Sequence, residues 1–255
     1  MNIYTSFDYL CNEPFNVNGI GNIKSPTLRE IRKITYNIFF YYVDFLLCTP
    51  QNYAQAIGLV EEYESLCDKD KEKYSLYNLL LYYDANLLLA IISFFIYDDI
   101  EFDDKSLSFK TYQNIKDEKQ YIGHIGNDNF ELFRTEVQKI LGLKNKDEQE
   151  QKFKNDLAKK MFEKLKKHNL EQKKEQDKNY SLDNMIRKYC THNKVGINIL
   201  NVWDMTYYQF ITMFNEYRNG RQCDFNDMMA ANTFSYKNST DYKPLDYMKK
   251  LNSND

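Results

Sequence analysis

A lysine-rich stretch at residues 144–178 divides this chain of 255 residues into parts of different character. The stretch contains 12 Lys and 8 Asp or Glu, and its few apolar residues form only a thin stripe at helical spacing. Before and after it, apolar residues are frequent and follow helical or alternating patterns. We therefore predict an N-terminal domain at 1–143, a charged helix or linker at 144–179 and a C-terminal domain at 180–255.

The N-terminal domain is predicted to be mostly helical. Turn residues between positions 14 and 21 indicate an extended arm, and Ser25 and Pro26 are typical of a helix start. Apolar spacing predicts helices at 26–47, 50–67, 72–90 and 130–141. The β-prone run at 92–97 predicts a strand, the acidic residues at 98–104 a loop, and the alternation at 107–125 an antiparallel meander.

The C-terminal domain is predicted to be small and helical. Helices are expected at 181–189, at 207–219 with Gly220 as the stop, at 225–232, and in the tail at 242–248. The whole chain is therefore predicted to be mainly α with a small antiparallel β meander (α+β): a helical N-terminal domain, a charged helical linker and a small helical C-terminal part.

Cysteine usage and the N-terminus favour a reducing compartment. The five cysteines are odd in number, widely spaced and without a CxxC pair, which is typical of free thiols. The first residues have neither the basic nor the apolar region of a secretory signal. The apolar stretch at 79–97 approaches membrane-spanning length, but Asp84 and Asn86 interrupt it, so a buried helix leading into a strand is preferred. We expect a soluble, cytoplasmic protein.

Residue patterns for chemistry are sparse. The pair Cys190 and His192 lacks the further ligands of a zinc site, and the acidic loop lacks the glycine and terminal Glu of an EF-hand. Motifs of hydrolases, metalloproteases, P-loops and dinucleotide-binding folds are missing. A net charge of −3 argues against a generally basic nucleic-acid binder, and acids interspersed in 144–178 would repel phosphate. We expect no enzyme activity, no cofactor, no metal site and no nucleic-acid or membrane partner.

Aromatic residues are abundant, with 22 Tyr and 17 Phe, although a low-GC genome also favours Tyr. Adjacent helical residues point about 100° apart, so one ring of a pair can face outward. Tyr and Trp often carry binding energy at protein contacts. We therefore predict protein-binding residues on the first long helix and around the single Trp, although a lone Trp is more commonly core: Phe39, Tyr42, Trp203, Tyr207 and Phe210.

Two passages resemble small proteins encoded among the tail-morphogenesis genes of phages from low-GC Gram-positive bacteria. The first comprises residues 9–17 (YLCNEPFNV) and 21–31 (GNIKSPTLREI), similar to that family's short arm followed by a P-T-[LV]-x-[DE]-I helix. The second comprises residues 202–210 (VWDMTYYQF) and the stretch at 242–251. The resemblance covers about a sixth of the chain.

The resemblance implies a non-enzymatic tail assembly chaperone. Such chaperones bind the tape-measure protein, keep its apolar helices soluble and help recruit tail tube subunits, so either protein is an expected partner, and a homo-oligomer is also expected. Two alternatives stay open. One is a structural virion component, such as a baseplate or connector subunit. The other is an enzyme or toxin with an unrecognised site, for which His124, Asp84 and Asp204 are the residues to probe.

Overall fold

The computed structural model describes residues 4–71, 74–115, 118–143, 180–231, 243 and 245–248. Contacts divide the chain into two units, one formed by residues 1–144 with 204–209 and the other by residues 145–203 with 210–255. The predicted linker at 144–179 and most of the predicted tail helix lie outside the described residues. The α+β fold class is confirmed.

In chain order, the first unit contains β1 (Phe15–Val17), β2 (Gly21–Ile23), α1 (Leu28–Ile34), α2 (Tyr36–Leu47), α3 (Pro50–Ala56), α4 (Val60–Ser65), α5 (Asp68–Lys71), α6 (Leu76–Tyr83), α7 (Ala85–Phe95), β3 (Asp99–Asp103), β4 (Ser108–Ile115), β5 (Glu118–Ile125) and α8 (Phe130–Ile140). The core of this unit is formed by the first hairpin together with the longer helices, because both contribute fully buried side chains. These include Ile20, Ile23, Leu28, Phe39, Leu46, Leu88, Ile92, Phe95, Phe133 and Val137.

The predicted N-terminal arm folds back on itself as a hairpin. Strands β1 and β2 pair antiparallel, with Phe15 opposite Ile23 and both side chains buried. The turn is held against the rest of the unit, because the backbone N–H of His124 donates to the carbonyl of Gly19 at 3.0 Å. The buried apolar residues of the arm therefore stabilise a compact hairpin instead of an extended segment.

Two predicted long helices are interrupted by residues with positive φ. Thr35, at φ 75°, separates α1 from α2, and Gly58, at φ 81°, lies between α3 and α4. Helix α1 starts two residues later than predicted, because its cap is Thr27 and not Ser25, and Thr27 forms a reciprocal capping box with Glu30. Apolar periodicity continues across such breaks and so does not reveal them.

The predicted strand at 92–97 is wrong for most of its length, because α7 continues to Phe95. The helix is favoured because Leu88, Ile91, Ile92 and Phe95 lie at helical spacing and are all buried. Only Ile96 makes an isolated bridge, to Ile23. A short apolar run has the same composition in a buried helix and in a buried strand, so its neighbours decide between them.

The antiparallel meander is confirmed in the order β3-β4-β5. Its first strand is formed by residues 99–103, where an acidic loop was predicted, and pairs Phe102 with Phe109. Strand β4 then pairs with β5, with a register irregularity between Thr111 and Tyr112. Acidic residues alternate with Ile100 and Phe102 in β3, and two of them, Glu101 and Asp103, lie opposite the polar residues Lys110 and Ser108 of β4.

The second unit contains α9 (Leu182–His192), a 3₁₀ turn at Val202–Asp204 that continues into the first unit, and most of α10 (Tyr207–Ala231). Residues 204–209 group with the first unit through backbone bonds such as Leu28 N–H to the Met205 carbonyl. The helix α10 passes through Gly220, so the predicted stop and the separate helix at 225–232 are wrong.

Among the described residues, no single helix is both long enough and apolar enough to cross a membrane. Helices α6 and α7 reach that length and composition only as a pair, and they are bent by 119° at Asp84.

Candidate functional site

An open groove on the first unit is lined by uncharged side chains. It has a volume of about 680 Å³, and we call it the aromatic groove. The residues that line it are Tyr74, Asn78, Leu79, Leu81, Tyr82, Tyr83 and Leu107.

Helix α6 supplies most of the groove because it buries one face and exposes the other. Ser75 caps its first turn by accepting a hydrogen bond from the backbone N–H of Asn78 at 3.2 Å. Leu76, Tyr77 and Leu80 are buried, whereas Tyr82 and Tyr83 lie at the end of the helix and are exposed. The chain then bends at Asp84, so no further helical turn covers the two rings.

The opposite side of the groove is a turn that Tyr77 anchors. The hydroxyl of Tyr77 donates a hydrogen bond to the Leu107 carbonyl at 2.8 Å, and burial raises the pKa of this phenol. Leu107 has φ 48°, which a leucine seldom adopts. The β3–β4 turn therefore has a fixed position beside α6, and Leu107 presents an exposed side chain there.

Tyrosine rings give the aromatic groove its character. Tyr82 is 81% exposed, and its ring meets that of Tyr83 edge-on at 4.9 Å between centroids. The described lining contains no carboxylate, imidazole, amine or thiol. Tyrosine combines an apolar ring with a hydroxyl that can bond to a peptide group. The aromatic groove is therefore suited to binding an apolar segment of another polypeptide.

The five predicted binding residues lie in two places. In the first unit, Phe39 contacts Tyr207 at 5.2 Å and Phe94 at 6.1 Å, and Tyr42 contacts the same Phe94 at 5.8 Å. Phe39 is fully buried, Tyr42 is 8% exposed, and burial raises the pKa of Tyr207 to about 12. Phe39 and Tyr42 form part of the core, because α2 turns this face inward, and the half-buried Tyr207 packs against Phe39.

The other two predicted residues belong to the second unit. Phe210 is fully buried and meets Tyr189 edge-on at 5.9 Å. Trp203 is half-buried, and its indole N–H donates to the Ile199 carbonyl at 2.8 Å. Both rings thus stabilise local structure in the second unit.

Exposed rings occur beside the predicted ones. On α2, Ile38 and Tyr41 face outward while Phe39 and Tyr42 face inward. The pair Tyr82 and Tyr83 is visible in the sequence, and Asp84 is a residue type that often caps a helix, but a cap residue does not reveal the bend that exposes both rings. Choosing the exposed members requires knowledge of which helix face the core covers.

The three residues named for an unrecognised catalytic site have separate structural partners. Asp84 caps α7 by accepting a hydrogen bond from the N–H of Leu87 at 3.2 Å. His124 Nε2 lies 3.1 Å from Asp128 Oδ2, and Asp204 Oδ1 lies 2.7 Å from Arg29 Nη2. Within the described ranges, His, Cys, Asp and Glu side chains form no group of three or more that could hold a metal ion.

Comparison with known families gives a match at the C-terminal end. Residues 172–252 match a family described as YomV second domain. The match is consistent with a phage-related protein. No curated protein and no solved structure matches this chain.

Proposed function

We propose that this protein is a non-enzymatic phage tail assembly chaperone that binds an apolar helical segment of the tape-measure protein in the aromatic groove. The observation that carries the proposal is the exposure of Tyr82 and Tyr83 in a groove without charged side chains. The phage-related family match at 172–252 and the resemblance of residues 9–31 and 202–210 to tail-morphogenesis proteins support it.

The physical argument rests on what an apolar helix needs from its partner. A tape-measure helix has apolar side chains that aggregate in water, and covering them removes apolar area at about 25 cal/mol per Å². A groove that presents rings edge-on offers apolar surface, while its phenol hydroxyls stay hydrated before binding. A groove that binds an amphipathic helix recognises apolar side chains at helical spacing on one face of that helix.

Co-expression with fragments of the tape-measure protein from the same phage tests the proposal. The wild-type chain is expected to raise the soluble yield of a fragment and to co-elute with it in size exclusion. Replacement of both Tyr82→Ser and Tyr83→Ser is expected to weaken binding at least about tenfold, since tyrosines are common hot spots. Failure of the wild type to bind any fragment would reject the proposal.

Tyr97→Ser is the matched control, because Tyr97 belongs to the same unit and is 63% exposed but does not line the groove. The control should bind like the wild type. Mass spectrometry of purified virions then separates a chaperone from a structural component, since a chaperone should be missing from mature particles. Fractionation of infected cells should place the protein in the host cytoplasm, and light scattering should show whether it forms a homo-oligomer.

A further inference from the structure

A second groove, in the second unit, differs in charge from the aromatic groove. It lies between α9 and α10 and has a volume of about 640 Å³, and we call it the cationic groove. The side chains that line it are Tyr180, Lys188, His192, Phe214, Tyr217, Arg218 and Arg221.

Helical spacing brings the basic side chains of this groove together. Lys188 and His192 are one turn apart on α9, and Arg218 and Arg221 are one turn apart on α10. Within the described residues, Lys188, Arg218 and Arg221 form no ion pair, and no carboxylate lines the groove. Arg187, by contrast, lies outside the lining and does form an ion pair, with its Nη2 atom 2.6 Å from Asp183 Oδ2.

We propose that the cationic groove binds an acidic segment of a protein partner, whose carboxylates pair with Lys188, Arg218 and Arg221. Three positive side chains around one cavity repel one another, and carboxylates relieve that repulsion when they bind between them. Arginine forms bidentate hydrogen bonds with carboxylates, and complementary charge also accelerates association.

The ring contacts argue against a nucleic acid as the occupant. Binding of a single strand without sequence preference depends on free aromatic faces for the bases. Here the Arg218 guanidinium lies 4.8 Å above the Tyr180 ring, and Tyr217 is engaged edge-on with Tyr189 at 5.7 Å. Phe214 is only 7% exposed. The rings therefore form the walls of the groove and hold its cations in place.

The balance of charge among the described residues of the second unit favours a short acidic segment over a long polyanion. The described residues of the second unit carry nearly equal numbers of cations and anions. They are Arg187, Lys188, Lys194, Arg218, Arg221 and Lys243 against Asp183, Glu216, Asp224, Asp227 and Asp246. A polyanion would need many phosphate contacts for affinity, whereas an acidic segment needs only the cations of the groove.

Fluorescence polarisation of the full-length chain with a labelled glutamate-rich peptide tests the proposal. The peptide should bind in low salt and bind less tightly in high salt, because surface charges are screened. The double reversal Arg218→Glu with Arg221→Glu should weaken binding at least about tenfold, a loss of about 1.4 kcal/mol. The reversal Arg187→Glu with Lys194→Glu changes net charge equally outside the groove and should weaken binding no more than about twofold.

A second, milder double substitution keeps the proposal testable if the first variant does not fold. Lys188→Gln with Arg221→Gln removes two exposed cations and leaves Arg218 on Tyr180, and it should also reduce peptide binding. The proposal is overturned if neither pair weakens binding more than the control, or if a single-stranded oligonucleotide or inorganic phosphate competes as well as the unlabelled peptide. Because the aromatic groove is a different surface, such a failure leaves the chaperone proposal standing.

Discussion

The carboxylate of Asp98 accepts two hydrogen bonds from Asn22, one from its backbone N–H at 2.6 Å and one from its side-chain amide at 2.8 Å. Asp98 lies just before β3 and is 9% exposed, whereas Asn22 is in the middle of β2. One side chain thus joins the N-terminal hairpin to a segment that follows 76 residues later.

Removal of this carboxylate should lower the stability of the first unit. Asp98→Ala leaves the half-buried backbone N–H of Asn22 without its acceptor, and hydrogen bonds to charged groups contribute about 1.5–3 kcal/mol each. We expect a loss of about 2–4 kcal/mol in the free energy of unfolding, measured by urea denaturation. Asp104→Ala is the control, because Asp104 is exposed in the next turn, and an equal loss there would contradict the argument.

Arg134 should be equally sensitive, because its guanidinium is buried at the end of α2. It donates to the Leu46 carbonyl at 2.9 Å and to the Cys48 carbonyl at 2.6 Å, and it also pairs with Glu131. A lysine cannot make the same set of planar contacts. Arg134→Lys is expected to cost about 2–3 kcal/mol in thermal or urea unfolding.

The exposed arginine Arg29 provides the comparison for Arg134. Its ion pair with Asp204 is more than half exposed, so Arg29→Lys should change stability by less than about 1 kcal/mol. Equal effects of the two substitutions would show that burial does not determine the contribution of Arg134.

Gly220 lies inside a continuous helix, and alanine should therefore stabilise it. Among the described residues, a Cβ added at Gly220 would meet the Tyr247 ring alone, at an ordinary contact distance of 3.5 Å. Alanine is favoured over glycine in a helix by about 1 kcal/mol. Gly220→Ala should raise the unfolding free energy by about 0.5–1 kcal/mol, whereas Gly196→Ala, at φ 81°, should lower it. Destabilisation by Gly220→Ala would indicate a helix end at this position.

Alkaline pH should destabilise the first unit through buried phenols. Burial raises the pKa of Tyr9 and of Tyr207 to about 12, whereas an unfolded tyrosine has a pKa near 10. The folded state therefore holds more protons between these values, so the stability they contribute is complete below about pH 10 and falls as the pH rises to about 12. Absorbance of tyrosinate should show a late phase that Tyr9→Phe and Tyr207→Phe each reduce.

Tyr9→Phe has a second consequence at neutral pH. Within the described residues, the buried hydroxyl of Tyr9 has no hydrogen-bond partner. Its removal eliminates an unsatisfied polar group and keeps the ring contacts with Phe15 and Tyr208. The variant should be as stable as the wild type or more stable, and a loss above about 1 kcal/mol would contradict this account of the hydroxyl.

Sequence reasoning succeeded where a local signal agrees with the packing. Helix α8 follows its apolar spacing from Phe130 to Ile140, whereas the predicted cap Ser25 lies two residues before the actual cap of α1, Thr27. It failed where one amino acid type occurs both at helix ends and within helices, as glycine does here. Gly220 resembles a helix stop but lies within α10, while Gly58 lies at a real break with φ 81°.

The candidate binding surfaces show the same division. The sequence shows which residue types are present and predicts that they lie on helices. This holds for Tyr82, Tyr83, Arg218 and Arg221. Their exposure depends on the 119° bend between α6 and α7 and on the way α9 and α10 enclose a groove. These features involve residues far apart in the chain, which spacing within one helix does not describe.

The order of local patterns along the chain determined that this protein is mainly helical with an antiparallel meander, because periods of 3.6 and 2 residues are local properties. Tertiary structure alone decided which rings are buried, since Phe39 and Tyr41 lie on one helix and differ only in the face that α2 turns toward its neighbours. The same holds for Asp98, because its acidic side chain becomes a structural link only when β2 lies against it.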